Sequence, residues 1–379
     1  MDLVTEQDFA AGTEPEDGRD RGYRCHHMLL RLAGRAPDGL LTQARDWLAR
    51  GQFGHLARSV TFWAVSQDAV LAEADAALLS RLLTEAAADP SEIARLTLDD
   101  LDRLPCYAFA WRKPADPAAT AAGPSPGARS DEAAVRAAAA EPAAVGVWRA
   151  WRYPAGGAPW PPPRRVFVVE TGAPGEPDLV ARMQLRLAAA GEVDPQVEVY
   201  RSGAELPIYQ ELARSHGELL WAAAPDTGIQ LAAIFDDVET GPLFRPGHPV
   251  LDDDESAKVV RYLLGGEPLL VTEELMDDVL DSGQAGCVPM SFRTDGTWIW
   301  NEASAYYAQR YGLQPHAGLV AHVRSNGYRP PPVDGVTVHR ALRVLQDRPG
   351  EEPDVMLDEP TLDLTSQLGV GLSGVRTSI

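Results

Sequence analysis

From Gly39 to Leu83 apolar residues recur at helical spacing, in "LLTQARDWLARG" and then "FGHLARSVTFWAVSQDAVLAEADAALLSRLL". This period gives a helix one apolar face, and Gly51 and the stretch Ser66 to Asp68 interrupt it, so the pattern predicts a small helical bundle. The segment "DPSEIARLTLDDLDRL" adds a short helix that stops before Pro105, because a proline ring pushes the preceding residue out of helical geometry. The helical region, 1–112, closes near Trp111.

Between Lys113 and Val147 the chain turns to Ala, Pro, Gly and Ser with almost no large apolar side chain, which reads as a linker or inserted loop. "SDEAAVRAAAAE" inside it has helix propensity and a serine cap, so a transient helix with nothing to pack against is expected. Trp148, Trp151 and Trp160 bracket a proline cluster. The pattern then alternates: a Val-rich strand over Arg164 to Gly172, a helix over Pro177 to Gly191 and a strand over Pro195 to Tyr200. A second helix spans "ELPIYQELARSHGELLWAA" and a third strand runs from Ile229 to Asp237. Such alternation implies crossovers and a sheet covered by helices.

The last third is less regular. Asp253 to Gly266 reads as a helix with acidic residues at its positive end, "EPLLVT" as a strand and "EELMDDVLD" as a short helix. "CVPMSF" and "TWIW" alternate around Asp295-Gly296, a tight-turn signal, and so predict a hairpin. Asn301 stands at the N-cap of the following helix, which carries Tyr307 and Tyr311 and stops at Gly312. "PHAGLVAHVRSNG" and "VTVHRALRVLQ" read as two more helices, and 350–379 as a loose tail. The fold class is α/β (or α+β): a helical bundle at 1–112, an Ala/Pro-rich linker at 113–147, and a mixed sheet with covering helices at 148–349, which divides in one version into 148–245 and 246–349.

With 34 Lys and Arg against 55 Asp and Glu the formal charge is -21, so a sequence-independent grip on nucleic-acid phosphates is disfavoured and a basic protein partner is favoured. Three cysteines without CxxC spacing argue against a disulfide framework. The first residues contain no cationic stretch followed by an apolar run, and no stretch has the length of a membrane helix, so a cytoplasmic protein with no membrane partner is expected.

The densest chemistry is "FRTDGTWIWNEASAYY", Phe292 to Tyr307. Trp298 and Trp300 lie two apart on a strand and point the same way, either into the groove under the next helix or outward as an aromatic platform. Arg293, Thr294, Asp295, Asn301 and Glu302 surround them, and interfaces favour Trp, Tyr and Arg as anchors. "TDGTWIW", the helix "NEASAYYAQRYGLQP" and "HAGLVAHV", roughly Cys287 to Val323, resemble the C-terminal segments of uncharacterised actinobacterial proteins, some of them similar to immunity proteins of polymorphic-toxin systems. The resemblance implies stoichiometric partner binding, with no catalytic residues to carry over.

The leading expectation is therefore a non-catalytic protein-binding module, immunity-like or regulatory, in which Trp298, Trp300, Tyr307 and Arg293 contact a basic protein and Asp295 sets the turn. No cofactor is expected under it. A metal-dependent enzyme is the second reading: Asp236 and Asp237 end a strand, and His248 with Asp252 to Glu255 are able to approach them and hold Mg²⁺. A scaffold or assembly component is the third. "CHH", Cys25 to His27, fits a polar helix start better than a metal site, because adjacent side chains rarely converge on one ion. GxGxxG, GxxxxGK[ST], HExxH and GxSxG are all missing from the sequence.

Overall fold

The computed structural model describes residues 16–100, 105–113, 128–158, 160–238 and 241–346, which fall into two compact units divided between Ala223 and Ala224. The chain is α/β, with helices first and then mixed sheets with covering helices. The expected C-terminal tail lies outside the described residues. Among the described residues no helix is long and apolar enough to cross a membrane.

The first unit opens with α1 (Glu16–Leu32), α2 (Asp38–Ala49), α3 (Phe53–Ser66) and α4 (Glu73–Glu85). The breaks between the last three fall at Gly51 and at Gln67 to Asp68, where the apolar period fails. Instead of the short helix expected next, Ser91–Arg95 makes a single 3-10 turn. There follow β1 (Tyr107–Ala110), α5 (Ala128–Ala139), β2 (Ala144–Pro154), β3 (Arg164–Thr171), α6 (Glu176–Ala189), β4 (Gln196–Arg201), α7 (Ile208–Ser215) and β5 (Glu218–Ala222).

The strand order is β1-β2-β3-β4, with β5 also on β2. β2 is long enough to pair with both: β1 lies against Trp151 to Pro154 and β5 against Gly146 to Arg149. β3 and β4 are parallel, joined through α6. One sheet face is apolar: Val147, Phe167, Val169, Val197 and Val199 pack on α6 and on Ala133, Ala134, Ala137 and Ala138 of α5. On β4 the alternate residues Gln196, Glu198 and Tyr200 are polar and yet buried. Glu198 accepts two bonds from Arg45 Nη2 of α2, at 2.7 and 2.6 Å, and one from Gln210 Nε2 of α7, at 2.9 Å.

Other expectations are corrected in this unit. α5, expected to find no packing partner, is a core helix, because a stripe of alanine Cβ atoms lets it settle closely on α6 and the sheet. The helices α1 to α4 fall in the same compact unit as the sheet, and α5, within 113–147, packs in its core. The single helix over Glu205 to Ala223 is two elements, α7 and β5: a Cβ at Gly217 would lie 2.7 Å from the Ala213 carbonyl and 3.1 Å from that of Arg149, so glycine lets the chain leave the helix and join the edge of β2. Cys25 and His26 lie in the middle of α1, buried in the core rather than at a helix start.

The second unit contains β6 (Gln230–Leu231), α8 (Asp253–Leu264), β7 (Glu267–Leu270), β8 (Leu275–Met276), β9 (Val288–Pro289), β10 (Phe292–Thr294), β11 (Trp298–Asn301), α9 (Ala303–Tyr311), α10 (Ala317–Ser325) and α11 (Gly335–Gln346). Its main sheet runs β6-β11-β10-β7, and β8 pairs separately with β9. The hairpin over Asp295-Gly296 forms as β10–β11. The strand from Ile229 to Asp237 shrinks to β6, parallel to β11. Asp252 caps α8, its Oδ1 accepting the Glu255 N–H at 2.8 Å, and Gly312 ends α9 in the left-handed region at φ 67°. "EELMDDVLD" is not a helix: it forms β8 and a loop, because Asp278 turns inward to hydroxyl partners.

Candidate functional site

Trp298 and Trp300 do share one face of β11, and that face is turned inward. Trp300 is fully buried, donates through Nε1 to the Leu263 carbonyl at 3.1 Å and lies beside Tyr262. Trp298 packs in the same cluster with Leu319 and Val320 of α10, its ring 5.2 Å from that of His316. Tyr307 is buried in a neighbouring cluster with Val288 and Ala303. Arg293 is held by Glu302, at 2.5 Å, and by the Gly266 carbonyl, at 2.9 Å. Trp298, Trp300 and Tyr307 are thus buried within the fold rather than set out as partner contacts, while Arg293 is engaged internally but keeps part of its surface exposed.

Asp295 is buried and shapes the turn. Its Oδ1 accepts the N–H groups of Thr297 and Trp298, both at 2.9 Å, while Oδ2 accepts the Tyr262 hydroxyl at 2.6 Å and lies 2.9 Å from His322 Nε2. Burial and that carboxylate push the Tyr262 phenol well above its usual range.

The acidic alternative comes together only in part. Asp236 Oδ2 accepts the Arg245 N–H at 2.7 Å and meets His248 Nδ1 at 2.9 Å, bonds that hold its carboxyl below the usual range. His248 Nε2 lies 2.8 Å from the Gln314 carbonyl, so both ring nitrogens are engaged. Asp237 instead faces Arg245 at 3.6 Å. Among the described residues no group of three or more His, Cys, Asp or Glu side chains is arranged to hold a metal ion. The Mg²⁺ site expected from Asp236, Asp237 and His248 therefore lacks a ligand set.

In the first unit a cleft of about 730 Å³ lies between α1 and the start of α6. Two of its acids are paired: Arg201 Nε donates to Glu176 at 2.9 Å while its guanidinium covers the Tyr23 ring, and Arg24 takes Asp20.

What remains unmatched is the stretch that follows α8. Leu264, Leu270, Val271, Leu275 and Leu280 are large apolar side chains between 47 and 54% exposed. Between Arg261 and Arg293 the sequence has six acidic residues, Glu267, Glu273, Glu274, Asp277, Asp278 and Asp281, and no Lys or Arg. Asp278 is buried, Glu267, Glu273, Glu274 and Asp277 are exposed, and Asp281, half-buried, pairs with Arg310 at 3.4 Å. Large exposed apolar side chains gathered within one acidic stretch of the chain make it the candidate interaction segment.

The loop that presents this stretch is fixed by the tyrosines of α9. Asp278 Oδ2 accepts the hydroxyls of Tyr306 and Tyr311 at 2.9 and 2.6 Å, and Oδ1 accepts the Leu280 N–H at 2.9 Å. Burial alone would raise its carboxyl, but these bonds and Arg310 nearby outweigh it and hold it below the usual range. The Tyr307 hydroxyl accepts the Val279 N–H at 3.2 Å, and Asp277 Oδ1 accepts that of Gly286 at 2.8 Å. Tyr307 is thus a positioning residue beneath the face. Read as a short helix, "EELMDDVLD" hides this face; its one visible signal is the long run of acid without a base. The chain matches no protein family, no curated protein and no solved structure.

Proposed function

We propose that this chain is a non-catalytic protein-binding module, immunity-like or regulatory, whose C-terminal unit holds a basic protein against the apolar, acid-rimmed segment Leu264 to Asp281. The observation that carries the reading is five half-exposed large apolar side chains in a stretch with no positive charge. Apolar contact supplies affinity, and single-sign charge steers a basic partner and repels acidic ones. The engagement of both His248 nitrogens favours binding over catalysis at Asp236.

The test is capture from native lysate with the full chain and with Leu270→Asp/Leu275→Asp. These side chains are half exposed, so the variant keeps its fold and loses apolar contact. A basic protein held stoichiometrically by the wild type and lost by the variant supports the proposal. Equal capture by both removes the face from the account.

A further inference from the structure

We infer that the partner is held as an added strand: an extended segment in which apolar residues alternate with Lys or Arg pairs with the free edge of β7. This inference rests on the reading of Leu264 to Asp281 as the binding face. β7 is the terminal strand of the order β6-β11-β10-β7, paired with β10 through Leu270 to Phe292, Pro268 to Arg293 and Glu267 to Thr294. One side of its backbone therefore has no strand partner among the described residues, and a sheet edge in that condition is a template for another chain.

Proteins usually guard such edges with charge and proline, and both are present here, but arranged selectively. Pro268 has no N–H and removes the first half of β7 from pairing. Beyond it, the Thr272 N–H and carbonyl are taken by Ser291 Oγ, at 3.2 and 3.3 Å, so the stretch left to receive a strand is Leu269 to Val271, in which Leu270 and Val271 are about half exposed. The flanking charges are Glu267, Glu273 and Glu274. Two copies of this edge repel each other, so self-pairing is blocked, whereas opposite charges on adjacent strands attract. A cationic strand is the occupant for which the guard becomes an attraction.

The probe is a synthetic peptide alternating valine with lysine, set against a scrambled peptide of the same composition and an alternating peptide with glutamate in place of lysine. Binding to the full chain is read by fluorescence anisotropy at physiological salt, together with hydrogen exchange of Leu269 to Val271. The alternating basic peptide is expected to bind at least about tenfold more tightly than either control and to slow exchange at Leu269 to Val271, while Thr272, bonded to Ser291 Oγ, serves as the internal control. Val271→Pro, which deletes an edge N–H, is expected to weaken it about tenfold. Equal binding of the scrambled peptide, binding without protection of β7, or no binding overturns the inference. The two readings fail separately: lysate capture lost in Leu270→Asp/Leu275→Asp but kept in Val271→Pro leaves the face and removes the added strand, and capture kept in both removes the face itself.

Discussion

The buried pair Arg45–Glu198 gives the sharpest test of how the first unit is built. Their side chains are 1% and 0% exposed, and Arg45 uses Nη2 alone, leaving Nε and Nη1 buried without a hydrogen-bond partner. Removing one member leaves an uncompensated charge in a medium that solvates it poorly, which costs about 3–5 kcal/mol. Glu198→Ala and Arg45→Met are each expected to destabilise the unit by about 4 kcal/mol. For a unit of this size that corresponds to roughly 8–16 °C in melting temperature. The double variant Arg45→Met/Glu198→Leu removes both charges and both desolvation penalties, so it is expected to lie within about 2 kcal/mol of the wild type or above it. The assay is hydrogen exchange of β3 and β4 amides through urea, which reports this unit alone, and with Glu198→Leu as a further single variant the wild type, Arg45→Met, Glu198→Leu and the double variant close a double-mutant cycle. Single variants that each cost less than about 1 kcal/mol, or a double variant that costs the sum of the singles, would refute the burial argument.

Other consequences follow from the same geometry. Gly266→Ala is expected to cost about 1–3 kcal/mol by overpacking, because the new Cβ would lie 2.4 Å from Trp300 Cζ2; chemical denaturation should show a smaller loss when it is combined with Trp300→Phe than the two single losses predict. Burial lowers the His26 imidazole from 6.5 to about 4. Below pH 6.5 the unfolded chain takes up a proton that the native core refuses, so stability falls between pH 6.5 and 4 by about 3 kcal/mol. Native-state exchange in α1 across that range should show the slope, and His26→Gln should flatten it. Asp278 has the opposite logic: its lowered carboxyl contributes stability above about pH 4 that is lost as pH falls through the native value. Asp278→Asn should flatten the acid limb of a melting-temperature profile for the C-terminal unit.

Local signals served well wherever a single element decides its own structure. The apolar period with its breaks near Gly51 and Asp68, the Val-rich β3 and the Asp295-Gly296 turn all appear where the sequence places them. What was not legible depends on distant partners. The alternation of "QVEVY" marks a strand, but a polar row with Glu198 reads as solvent-facing until α2 brings Arg45 over it. The Ala-rich stretch of α5 looks like a linker because its small side chains bury little by themselves; they gain their value from the close approach of α6. β2 was hidden by the proline cluster after Trp151, and β5 by helix-forming residues whose geometry Gly217 overrides. The tryptophans of β11 were correctly set on one face, yet sequence alone does not tell an inward face from an outward one. The acid-rimmed face escaped notice because exposure of Leu270 and Leu275 is a fact of three dimensions.

The central claim is that the segment Leu264 to Asp281 is a binding face for a basic protein. It is tested most directly by quantitative capture from native lysate with the wild type, Leu270→Asp/Leu275→Asp and Trp300→Phe side by side. The account predicts one basic protein at stoichiometric level on the wild type, at least about tenfold less on the double aspartate variant, and wild-type capture per folded molecule on Trp300→Phe, whose ring lies in the core. Capture that is unchanged by the aspartates but lost with Trp300→Phe at intact folding would contradict it and return the site to the tryptophans.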